Sequence, residues 1–64
     1  MDSAPEIADR VRVPWGVDHV EGVVTEMIGM PREPWAQVEI LLEGMEEPMY
    51  INFPISMIEP AQAA

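Results

Sequence analysis

The sequence predicts one all-β domain, a small five-stranded barrel with a 3₁₀ turn before the last strand. Three observations lead there. Seven prolines and four glycines cut 64 residues into pieces too short for ordinary helices. Within those pieces apolar residues alternate with polar ones, the period of a half-buried strand. A chain of this length also holds one core and cannot build two full sheets, so wrapping a sheet on itself hides most of its edges.

Residues 1–8 read as a leader, 9–60 as the barrel and 61–64 as a tail. The first strand is Arg10-Val11-Arg12-Val13, with both valines on one face. Pro14 is expected to end it, leaving Trp15 to His19 as a loop. The second strand runs from Val20 to Ile28. Its alternation is broken where Val23 and Val24 adjoin, and Gly22 lacks a side chain, which points to a bulge or sharp bend. Gly29 to Pro34 is a loop. The third strand places Val38, Ile40 and Leu42 on one face and Gln37, Glu39 and Glu43 on the other, with Leu41 apolar on the outer side. Gly44 to Pro48 turns the chain. The fourth strand puts Met49, Ile51 and Phe53 inward and Tyr50 and Asn52 outward, and Pro54 stops it. Ile55-Ser56-Met57 has the length of a 3₁₀ turn, and Ile58-Glu59 makes a last short strand. The expected core is Val11, Val13, Val24, Ile28, Val38, Ile40, Leu42, Ile51, Phe53, Ile55 and Ile58.

This order of elements resembles the SH3-like barrel. Asp9-Arg10-Val11-Arg12-Val13, Gly16 and Gly22-Val23-Val24 look like the opening of a KOW-type module. Phe53-Pro54-Ile55-Ser56-Met57-Ile58-Glu59-Pro60 looks like the close of many such barrels, Tudor-like ones included. The resemblance implies a binding module: a peptide binder, a reader, a nucleic-acid or ribosome binder, or an accessory subunit of a larger complex. Fold by itself does not choose among them.

Charge narrows the choice. Twelve acidic residues face three arginines and no lysine, a net charge of −9. Such a body repels phosphate and anionic lipid at long range, which argues against nucleic acid and membranes as direct partners and favours a protein with a basic surface. The ordinary alternative is that the acids only solvate the outer faces. A second functional reading is an acidic mimic of nucleic acid, with Glu21, Glu26, Glu39 and Glu43 supplying part of the charge row. The opening, Met1 to Glu6, is acidic and carries no apolar segment like that of a signal peptide, so the expected address is cytoplasmic.

Chemistry-bearing residues are scarce. There is no cysteine or lysine, one histidine, and the candidate hydroxyls are Ser3, Thr25, Tyr50 and Ser56. Carboxylates abound, but a catalytic carboxylate needs a cleft that shifts its pKa, and a barrel this small has little room for one. No catalytic residue, cofactor or metal site is expected. His19, between Asp18 and Glu21, lacks the further ligands that a metal requires. Pro31-Arg32-Glu33-Pro34 has the spacing of a polyproline ligand but reads more simply as a loop. The methionines show no ligand spacing and read as packing.

The candidate partner-binding residues are Trp15, Trp35 and Tyr50, with a rim of Asp18, Glu21, Glu33, Glu46 and Glu47. Both indoles follow a proline at a loop edge. Where the first and second loops lie side by side, as the resemblance implies, their aromatics form a shelf of the kind that anchors interfaces. The alternative is that both tryptophans cap the open ends of the barrel. A homodimer through Leu41 or exposed strand edges stays open as well.

Overall fold

The computed structural model describes residues 5–29 and 31–61. Five antiparallel strands, β1 (Arg10–Trp15), β2 (Asp18–Ile28), β3 (Trp35–Ile40), β4 (Met49–Pro54) and β5 (Glu59–Pro60), form one sheet ordered β4-β3-β2-β1-β5. A 3₁₀ turn over Ile55–Met57 joins β4 to β5, where the sequence places it. The expected barrel is not closed by hydrogen bonds, because β4 and β5 are the two edges of the sheet. With two residues, β5 reaches only Val11 and Arg12 of β1.

Several boundaries move from their expected places. Pro14 and Trp15 continue β1, and Asp18 and His19 already belong to β2, so the expected loop is a hairpin turning on Gly16 and Val17. Gly16 has φ +63°, the left-handed conformation that this tight turn needs at its first central residue. Trp35 adjoins the loop as expected and is itself the first residue of β3, and the strand ends at Ile40, leaving Leu41 and Leu42 outside it. Of the expected leader, residues 1–4 lie outside the described residues, as do Met30 and, in the tail, 62–64. Residues 6–9 form a turn tied to β2: the Ala8 N–H donates to the Val24 carbonyl at 2.7 Å, and the Val24 N–H to the Asp9 carbonyl at 3.0 Å. Two residues thus oppose one, a bulge whose first position favours glycine; Ala8 holds it at φ +79°.

Prolines survive inside these strands because of the phase of the ladder. The Val24–Asp9 bond fixes residues 9 and 24 as a hydrogen-bonded pair, and stepping by two makes 11/22, 13/20 and 15/18 bonded pairs as well. Pro14, opposite His19, therefore has its nitrogen on the far side of β1, beyond the reach of β5. Pro60 likewise sits opposite Val11, whose own N–H is turned toward β2. A missing N–H costs nothing at these positions.

The fully buried core is Val11, Val13, Val24, Ala36, Val38 and Ile40. Leu42, Ile51, Phe53, Ile55 and Ile58 are half-buried against it, together with Trp15, Val20 and Met27. Ile28, expected inside, is on the other face. The cause is a bulge in β2 between Val24 and Glu26, at Thr25 rather than at Gly22. The extra residue reverses which residues point inward: Gly22 and Val24 before it, Met27 after it. The Thr25 hydroxyl lies 3.2 Å from the Gln37 carbonyl and 3.0 Å from its side-chain oxygen, tying the bulge to β3. Gly22 has a different reason. A Cβ there would lie 2.4 Å from Val38 Cγ1 and 2.7 Å from the Glu39 carbonyl oxygen, so β3 approaches β2 too closely for any side chain.

Candidate functional site

The register places an apolar row across the outer face at one end of the sheet. Trp35 stands opposite Ile28 on one side and Pro54 on the other. Because Ala36, Val38 and Ile40 take the inner face, alternation sends Trp35, Gln37 and Glu39 outward. Trp35 is 39% exposed and is not among the residues packed against the core. Beside it lies an open groove of about 290 Å³, lined by Glu33, Pro34, Trp35, Pro54, Ile55 and Ser56. The Ile55 N–H donates to the Pro34 carbonyl at 3.1 Å, which clips the 3₁₀ turn to the loop before β3 and ties two of the lining residues together. Two prolines, an indole and an isoleucine make the walls apolar and stiff. Glu33 and Ser56 supply the polar rim.

Farther along the same face, about 13 Å up β3 from Trp35, Glu39 pairs with Tyr50 of β4. The Tyr50 hydroxyl donates to Glu39 Oε2 at 2.9 Å. The hydrogen bond to Glu39, its negative charge and slight burial raise the Tyr50 pKa above its ordinary value near 10. Between these two ends, Glu26, Gln37 and Asn52 form a polar row.

The candidate residues do not gather in one place. Trp15 pairs with Asp18 at the start of β2, whereas Trp35 pairs with Ile28 at its end, about 33 Å along the strand. They also face opposite ways, since Trp15 follows Val11 and Val13 inward and packs against the core. Glu21 is paired with Arg10 at 3.2 Å in the middle of the β1–β2 ladder. Glu46 and Glu47 are exposed in the connection leading to β4, near Tyr50 and not near Trp35. His19 lies 3.9 Å from Glu59. Among the described residues no three ligating side chains converge to hold a metal, and no helix is long and apolar enough to cross a membrane.

Pro34, Pro54, Ile55 and Ser56 were absent from the sequence-derived site. Only the pairing of β3 with β4 sets Pro54 against Trp35, and that register is invisible in the order of residues alone. No family model, characterised protein or solved structure matches this chain.

Proposed function

We propose that the chain is a protein-interaction module of SH3-like architecture that binds its partner at the Trp35 groove. The observation supporting this is Trp35 itself, turned outward next to Ile28 and Pro54 and beside a groove with proline walls. A rigid aromatic on an apolar patch with a polar rim is the kind of feature that carries binding energy. The acidic surface steers a basic partner toward it, so binding weakens as salt is added. Of the expected rim, Glu33 borders the groove directly. The acidic-mimic reading has less behind it: Glu21 is engaged by Arg10, and Glu43 lies in the turn after β3 rather than in a strand row.

The test compares immobilised wild-type protein with Trp35→Ala for partners retained from the native cell, at low and at raised salt. Partners lost with both the substitution and the salt support the reading. A partner retained equally well through both overturns it.

A further inference from the structure

We propose that the free edge of β4 takes up an extended, cationic segment of the partner as an added strand, through the outward N–H and C=O groups of Tyr50 and Asn52. This rests on the protein-binding reading above and gives the bound segment a shape and a charge.

The phase of the β3–β4 ladder identifies the free groups. The bond from the Ile55 N–H to the Pro34 carbonyl makes 34/55 a bonded pair. Stepping by two along the register, 36/53, 38/51 and 40/49 are bonded too, and 35/54, 37/52 and 39/50 are not. The main-chain groups of Tyr50 and Asn52 therefore point away from β3. Since β4 is the last strand of the sheet, no strand lies beyond it among the described residues. Pro54 occupies the next outward position, where its missing N–H removes no ladder bond. The edge thus offers two donors, with the carbonyls of Tyr50 and Asn52 as acceptors; the Pro54 carbonyl caps the 3₁₀ turn that follows. Pro48 and Pro54 bracket it, which limits pairing to a short segment.

Side chains around the edge set what that segment carries. Whichever way it runs, alternate residues fall on opposite faces. Those on the outer face meet Tyr50 and Asn52, with Glu39 behind and Glu46 and Glu47 in the approach to β4. Arg10 and Arg12 are three strands away on β1, and Arg10 is bound to Glu21. Among the described residues Arg32, in the loop before β3, is the arginine nearest in sequence to the groove. Residues on the inner face come beside Ile51, which is half-buried together with Met49 and Phe53. The fitting segment alternates lysine or arginine with an apolar residue. A second copy fits less well, because each carries a charge of −9 and a shared ribbon would bring together both copies' Glu46 and Glu47, which lie just ahead of β4.

The probes are capped heptapeptides: alternating lysine and valine, alternating glutamate and valine, and the lysine–valine composition with its lysines grouped. They are titrated into the full chain while amide hydrogen exchange is followed by NMR. The alternating lysine–valine peptide is expected to slow exchange at Tyr50 and Asn52, leaving Ile51 and Phe53, already bonded to β3, unchanged. The glutamate peptide should do nothing and the grouped peptide should bind more weakly. Asn52→Pro removes one outward donor at a position equivalent to that of Pro54 and should weaken binding about tenfold. If that variant does not fold, the wild-type exchange pattern still decides.

Several outcomes would overturn the proposal: no protection at Tyr50 and Asn52, equal binding by the grouped peptide, or concentration-dependent protection without peptide, which would make the occupant a second copy. Partner binding lost in Trp35→Ala but intact in Asn52→Pro would sink the edge and leave the groove standing. The reverse pattern would sink the groove alone.

Discussion

The dipeptide Pro-Trp occurs twice in this chain, and the two ends of the sheet treat it in opposite ways. At the β1–β2 hairpin, Trp15 continues the inward set of Val11 and Val13 and packs against the core. At the far end of β2, Trp35 falls on the outward set of β3 and stands in an apolar row with Ile28 and Pro54. Nothing in the local sequence separates them. The parity of each tryptophan relative to its own strand decides which one packs on the core and which one stands on the outer face. One residue of register would exchange their roles.

Between those ends β2 lies closest to β3 at Gly22 and is bulged at Thr25, so the first way to break the contrast is to disturb that middle. Gly22→Ala forces the β3 backbone away from β2 at the Glu39 carbonyl and should cost on the order of 3 kcal/mol, enough to unfold much of a domain this small. Urea unfolding would measure it, and a loss under about 0.5 kcal/mol would mean that the close approach relaxes without cost.

The sharpest comparison is Trp15→Ala against Trp35→Ala. Removing Trp15 should cost about 2 kcal/mol of stability, whereas removing Trp35 should cost under about 1 kcal/mol and instead abolish partner binding. Equal stability losses would show that both indoles serve as lids.

Ala8→Gly should stabilise the bulge that leads into β1 by about 0.5–1 kcal/mol, because glycine takes the left-handed φ of +79° without strain. A lower urea midpoint in that variant would contradict the bulge. The smallest effect is at the other end. Tyr50 is the one tyrosine, so ultraviolet phenolate absorbance reads it cleanly. Its titration should lie above the ordinary value near 10 and return toward it in Glu39→Gln. Because the folded-state pKa is raised, the stabilisation is complete below the unfolded value and is lost as pH rises through the folded one. A Tyr50 midpoint unaffected by Glu39→Gln would remove the pair from the outer face.

Alternation made much of the fold legible in advance. Val11, Val13, Val24, Val38 and Ile40 were expected inside and are buried, and the 3₁₀ turn falls on Ile55–Met57 as expected. Where the reading failed, long-range pairing had overruled a local signal. Pro14 reads as a strand terminator, yet its missing N–H faces the β5 side of β1 at a position that the two-residue β5 does not reach. Ile28 looked like core until the bulge at Thr25 reversed the faces beyond it. Ala36 gives little hydrophobic signal because its side chain is small, yet it is fully buried between Met27 and Phe53 of the neighbouring strands. The candidate site was half legible. Composition singled out Trp35 and Glu33, but Pro34, Pro54, Ile55 and Ser56 belong to it only through the β3–β4 register.

From its order of residues alone this chain was bound to be acidic, strand-rich and cut short by prolines, because charge, period and φ restriction are properties of each residue and its near neighbours. Which aromatic faces inward, where β2 bulges and which main-chain groups of β4 are left without a strand beside them depended on how distant segments pair. Pairing is set by contacts across the sheet, and a shift of a single residue along it turns every side chain to the other face.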